Sequence, residues 1–184
     1  VAWTRTDTLV TFSGSFPRAS YFNAIEFVQF QATANEPSTV QRIVNVTVTD
    51  GTSTSNTAIA RIDVVPVNDE PTLTATASNP TYTEDAATVT LFSGATASAI
   101  ESAQTLTRLD FTVSNLANGA GEQVTVDGTT FSLTNGTSGT TLTNGMSYTV
   151  TVAGSTATVS LTRPAGIAAS AMQTLVNGIA YRNT

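Results

Sequence analysis

Apolar and polar residues alternate with a period of two along most of this chain. In Leu109-Asp110-Phe111-Thr112-Val113, three apolar side chains share one face and Asp110 and Thr112 take the other. The same alternation recurs at Val46–Val48, Ile62–Val64, Val124–Val126, Tyr148–Val152 and Val159–Leu161. A strand turns successive side chains to opposite faces, so each segment reads as a strand with one wet and one buried face. Asp127-Gly128, between Val124–Val126 and Phe131–Leu133, is a strong hairpin signal because both residues accept positive φ. Asn135-Gly136, Asn144-Gly145 and Ala153-Gly154-Ser155 punctuate the rest. Many short strands at this spacing predict an all-β fold of antiparallel sandwiches.

One stretch breaks the pattern. From about Ile167 to Val176 the apolar residues Ile167, Ala171, Met172 and Leu175 fall on one helical face, and Asn177-Gly178 supplies a stop. A short helix crossing the sandwich is expected there, serving packing rather than function. The segment after it, Ile179-Ala180-Tyr181-Arg182-Asn183-Thr184, matches Val28-Gln29-Phe30-Gln31-Ala32-Thr33 at an offset of 151 residues, and each follows a stretch rich in small and apolar residues, Ala19–Phe27 in the first case. Upstream, Thr8-Leu9 is expected to match Thr158-Val159 after a one-residue gap. The chain therefore reads as one period of about 150 residues plus a partial copy, as in arrays whose units contact mainly their neighbours. Without an initiator Met or a leader, it is expected to be a piece of a longer protein.

Composition narrows the chemistry. The 184 residues contain 37 Thr but no His, no Cys and no Lys, so all seven basic residues are Arg, against thirteen Asp plus Glu for a net charge of −6. Disulfides, thiolate nucleophiles and Cys-based zinc sites are excluded. So are His acid–base catalysis and Lys Schiff-base chemistry. An acidic chain without Lys lacks the basic stripe that nucleic acid requires. No apolar run approaches the roughly 18–20 residues of a membrane span. An oxygen-ligated cation, a carbohydrate or protein partner, or a purely structural role remains open, and no enzymatic activity is expected.

The stretch Val46–Pro71, VTVTDGTSTSNTAIARIDVVPVNDEP, resembles the end of a cadherin-like repeat: a strand, an Asp-Gly turn, a final strand and an Asn-Asp-x-Pro linker. Tyr82-Thr83-Glu84-Asp85 and Ile100-Glu101-Ser102-Ala103-Gln104 fall where such repeats carry acidic residues. The match is similar to the tandem repeats of very large bacterial surface adhesins. The resemblance implies tandem immunoglobulin-like sandwiches, each with one short crossing helix. Residues 1–67 would be the C-terminal part of one repeat, 68–71 a linker, and 72–184 the N-terminal and central part of the next. It further implies Ca²⁺ at the junctions, a hard cation that takes six to eight oxygen ligands. Asn68 and Asp69 would be linker ligands and Glu101 would reach up from the following domain. Glu84 and Asp85 would serve the opposite end of their domain, and Asp50 the junction before its own. Two departures thin this set: Ala99 stands where the first acid of the pair near Glu101 belongs, and the linker lacks an earlier Asp.

Each position also has a plainer reading. Asp50-Gly51 is a good turn in its own right, residues 68–71 make a polar linker ended by Pro, and Glu84, Asp85 and Glu101 can be ordinary solvated acids. Trp3, Phe12, Phe16, Tyr21, Phe22, Phe27 and Phe30 are expected in a core rather than on a sugar-stacking surface. Glu122 and Asp127 do not form a glycosidase pair, because Asp127 sits in a tight hairpin. Asn45-Val46-Thr47 and Asn135-Gly136-Thr137 match the glycosylation pattern by chance. The expectation is an extracellular or cell-surface structural repeat of an adhesin or filament, with neighbouring repeats or subunits as partners. A neighbouring chain could supply missing strands by β-strand addition. The alternative is a Ca²⁺-dependent module that binds surface glycans or proteins.

Overall fold

A computed structural model describes residues 1–184, which form two compact units, Val1–Val65 and Pro66–Thr184. Strands in antiparallel pairs dominate both, as the alternation predicts. No helix is long and apolar enough to cross a membrane.

In the first unit, β1 (Ala2–Arg5) pairs with β2 (Val10–Ser13), and the Leu9 N–H donates to the Thr6 hydroxyl at 3.2 Å to close the turn. Helix α1 (Arg18–Glu26) follows, with the Arg18 guanidinium 5.0 Å from the Phe22 ring centre. Strand β3 (Arg42–Val46) then pairs with β4 (Ala58–Ile62), placing Val44 opposite Ala60 and Val46 opposite Ala58. The strands expected at Val46–Val48 and Ile62–Val64 end at Val46 and Ile62. None of residues 1–65 is buried. The aromatic residues expected in a core are exposed instead, Trp3 by 64% and Phe27 by 83%, with Phe12 and Tyr21 half-buried. The physical reason is the missing layer: a two-stranded ribbon exposes both faces unless something packs on it.

The second unit has a core. Its elements are β5 (Thr72–Ala77), β6 (Val89–Thr90), β7 (Phe92–Ser98), β8 (Leu106–Val113), β9 (Glu122–Val126), β10 (Thr129–Ser132), β11 (Ser138–Thr140), β12 (Ser147–Ala153), β13 (Thr156–Ile167), helix α2 (Ala169–Asn177) and β14 (Ala180–Asn183). One four-stranded sheet is ordered β10-β9-β14-β6 and another β11-β12-β13-β8, while β5 pairs with β7. Val124, Val126 and Phe131 from the first sheet meet Tyr148, Val150, Val159 and Leu161 from the second in one cluster. Met172, Leu175 and Val176 of α2 join it. Burying each such side chain contributes about 1.5–3 kcal/mol, which sets where this unit's stability resides. The Phe131 and Tyr148 rings stack at 4.1 Å, placing β10 over β12.

Local chemistry fixes the turns. Asp127 (φ 50°) and Gly128 (φ 78°) both take the left-handed region, the geometry of the primed hairpin turn expected between β9 and β10. Helix α2 is tied to β7 twice: the Gln173 amide donates to the Ala97 carbonyl at 3.1 Å, and Asn177 Oδ1 accepts the Ala95 N–H at 2.9 Å. The sequence repeat has a counterpart in the two helices but not in the segments matched after them, since residues 28–33 form no strand whereas Ala180–Asn183 is β14. Both helices have nine residues, and they begin 169 − 18 = 151 positions apart. The upstream match does not hold, since Leu9 lies in a hairpin turn and Val159 in the interior of a strand.

Candidate metal centre

The β5–β7 pairing sets Thr72 opposite Ser98, which brings residues 68–71 beside the loop from Ala99 to Thr105. Three of the expected ligands meet there. The Asp69 N–H donates to Glu101 Oε1 at 2.6 Å, and the Gln104 amide donates to Asn68 Oδ1 at 2.5 Å. Asn68 in turn donates through Nδ2 to the Asp69 carbonyl at 3.2 Å. The loop carrying Glu101 is shaped locally: Ile100 adopts φ 70°, its N–H donating to Ser98 Oγ, and the Gln104 N–H closes a turn onto the Glu101 carbonyl. Gln104 was not singled out by sequence, although it lies three residues from Glu101.

The second oxygen of Glu101, Oε2, is buried and has no hydrogen-bond partner. A buried acceptor left unmatched costs about 1–3 kcal/mol, and more when it carries charge. A cation bound at Oε2 would remove that cost. Asn68 Oδ1 and the Asp69 carbonyl belong to the segment that meets Glu101, each already accepting one hydrogen bond, and oxygen is the donor chemistry of a hard ion. The set is sparse: no three Asp or Glu side chains converge closely enough to hold an ion on their own. Ala99, two residues before Glu101, is buried and offers no side-chain oxygen. Carbonyl oxygens, water or a neighbouring unit would have to complete six ligands.

The remaining candidates lie elsewhere. Asp50 belongs to the first unit, where Oδ1 accepts the N–H groups of Thr52 and Ser53, both at 2.8 Å. Those bonds, Ser53's foremost, hold its carboxyl below the usual range, as a turn-capping acid requires. Glu84 and Asp85 form a turn at the other end of β5. There Asp85 takes φ 60° and its N–H donates to the Asn183 carbonyl at 3.3 Å. Tyr82 Oη donates to the same carbonyl at 2.9 Å. Asn183 Oδ1 is the other buried oxygen without a partner, so the two unmatched oxygens mark opposite ends of the second unit. Nothing in the residue pattern distinguishes Asn183 from other strand-end Asn residues.

Two buried acids are structural. Glu122 Oε2 accepts the N–H groups of Ala117 and Asn118, and Oε1 the Tyr181 hydroxyl at 3.1 Å. Asp127 accepts from the Thr141 hydroxyl, the Asn144 N–H and the Asn144 side-chain amide, at 2.5, 2.9 and 2.6 Å. Their oxygens are engaged in holding loops. Comparison with protein-family models, curated proteins and solved structures finds no match to this chain.

Proposed function

We propose that this chain is a structural, extending repeat of a cell-surface or secreted adhesin or filament. In this reading it is built from immunoglobulin-like two-sheet repeats and stiffened by Ca²⁺ at Asn68, Asp69 and Glu101. The observation that carries the calcium reading is the buried, unpartnered Oε2 of Glu101 beside the Asn68–Asp69 segment. Composition supports it, because a chain without His or Cys offers a divalent ion only oxygen. The 151-residue spacing of two nine-residue helices supports the repeat. The role is mechanical: an ion bridging the entry segment and the β7–β8 loop restrains a junction that would otherwise bend, and Thr-rich wet faces keep an extended β surface solvated.

Thermal unfolding with Ca²⁺ against excess chelator tests the reading. An ion bound only by the native state, at a hundred times its Kd, stabilises by about 2.7 kcal/mol, roughly 8–13 °C for a unit of this size. Glu101→Gln keeps an acceptor for the Asp69 N–H but loses the charge, so its midpoint is expected not to respond. An unchanged wild-type midpoint would remove the calcium reading.

A further inference from the structure

Four Asn residues, all in the second unit, are followed by Gly: Asn118, Asn135, Asn144 and Asn177. Gly has no Cβ, so in such a pair nothing shields the Gly main-chain nitrogen from the Asn carboxamide beside it. The fold treats the four pairs differently. Asn144 is pinned, its N–H and side-chain amide donating to Asp127 and its carbonyl accepting from Arg163. Asn135 Oδ1 accepts the Val152 N–H at 3.1 Å, and the Gly136 N–H donates to the Val150 carbonyl at 3.0 Å. Asn177 ends α2 with its Oδ1 on the Ala95 N–H, while the Gly178 N–H donates to the Thr174 and Leu175 carbonyls.

Asn118 alone is unheld. It stands at the N-cap of the short turn Gly119–Gly121, where an Asn side chain ordinarily accepts a main-chain N–H. Here it makes no such bond, and neither its carboxamide nor the Gly119 N–H has a partner. Asn118 is exposed, Gly119 takes φ 57°, and the space a Gly119 Cβ would fill is open. The main chain at this point nevertheless carries a contact of the core. The Ala117 and Asn118 N–H groups hold Oε2 of buried Glu122 at 3.0 and 3.2 Å, and Glu122 Oε1 accepts the Tyr181 hydroxyl.

We propose that Asn118 is a site of spontaneous modification, converting to aspartate and isoaspartate in the folded chain. The Gly119 nitrogen attacks Asn118 Cγ and the bond from Cγ to the side-chain nitrogen breaks. The Gly119 proton leaves with that nitrogen as ammonia, and a five-membered imide remains. Water then opens the imide. Cleavage between Cγ and the Gly119 nitrogen gives aspartate, and cleavage between the main-chain carbon and that nitrogen gives isoaspartate. Either product sets a second carboxylate near the N–H groups that hold Glu122, and isoaspartate also lengthens the main chain there by one methylene. Like charge and altered geometry both loosen the grip on Glu122. The inference does not depend on calcium.

Peptide mass spectrometry of the chain aged in mildly alkaline buffer, native against urea-unfolded, reads all four sites at once. In urea the four pairs should convert at similar rates. In the native chain Asn118 should lead each of the others by at least about tenfold, because those react only from locally opened states. Fragmentation should show both products at position 118. Asn118→Gln, whose longer side chain cannot close the five-membered ring, should stay unmodified there. After full conversion the wild-type midpoint should fall by about 3 °C or more, while Asn118→Gln aged alike keeps its own. A native Asn118 that stays intact, or that converts no faster than Asn135, Asn144 or Asn177, overturns the proposal. Conversion with an unchanged midpoint overturns the coupling to Glu122.

Discussion

Asp127 offers a stringent test of what holds the second unit together. Its carboxylate is buried, 7% exposed, and draws the Thr141–Asn144 loop onto the β9–β10 turn by three hydrogen bonds. Thr141 passes the link inward, its Oγ1 accepting the Met146 N–H at 2.9 Å. Asp127→Ala strands three donors and places Ala at φ 50°, where L residues other than Asn and Asp are disfavoured by about 1–2 kcal/mol. Adding about 1–3 kcal/mol for each donor left unmatched, and allowing water to recover some of them at the rim, the loss should be about 3–5 kcal/mol. Asp127→Asn keeps the shape, tolerates the left-handed backbone and retains an oxygen for Thr141 and the Asn144 N–H, while the Asn144 amide can turn to accept. Its loss should stay below about 1 kcal/mol. Urea unfolding followed by far-ultraviolet circular dichroism measures both, and the denaturant slope should stay constant if only stability changes. Equal losses in the Ala and Asn variants, or an Ala loss under about 1 kcal/mol, would refute the assignment of this carboxylate as the staple of the loop.

The other predictions separate the two units and the titrating groups. Leu161→Ala, in the second core, should lose about 2–5 kcal/mol, whereas Trp3→Ala, at a 64% exposed position, should change stability by less than about 0.5 kcal/mol; chemical denaturation decides. In chelator, Glu101→Gln should melt at or above the wild-type midpoint, because it removes a buried charge with no partner on one side. Burial, then the hydrogen bond to Glu122, pushes the Tyr181 hydroxyl up to about 12 from 10.0. The folded state thus holds its proton after the unfolded chain has released it, so stability is full below pH 10 and falls as pH rises towards 12. Tyr181→Phe should flatten that stretch of the stability–pH curve. Asp110, held below the usual range by Arg108 and then Ser160, contributes a small stability present above the unfolded carboxylate range and lost on acidification; Asp110→Asn should shallow the acid limb slightly.

Much of the second unit was legible because burial on one face leaves a period-two signature. Leu109–Val113, Val124–Val126, Tyr148–Val152 and Val159–Leu161 all lie within strands, and Asp127-Gly128 makes the turn its chemistry predicts. Helix α2 was expected close to its observed span because Met172 and Leu175 repeat at helical spacing. Burial in the first unit was not legible. Alternation at Val44 and Val46 says which face seeks cover, not whether a covering layer is present, so Trp3 and Phe27 read as core and stand exposed. At the candidate metal centre the resemblance brought out Asn68, Asp69 and Glu101, whose meeting follows from the β5–β7 register. It missed Gln104, because its significance lies in a partner 36 residues away, Asn68; at the opposite end of the unit Asn183 was missed because only the fold buries its Oδ1 without a donor. The roles of Glu122 and Asp127 were hidden for the same reason, since their carboxylates are matched by donors brought together only by the fold.

The central claim, that Asn68, Asp69 and Glu101 form a calcium site, is tested most directly by amide resonances during a Ca²⁺ titration of the whole chain. The account predicts that the Asn68, Asp69 and Glu101 amides shift together along one saturable curve while those around Asp50 stay in place, and that Glu101→Gln abolishes the response. Resonances of the three that do not move as Ca²⁺ reaches millimolar levels, or that move equally in Glu101→Gln, would contradict it.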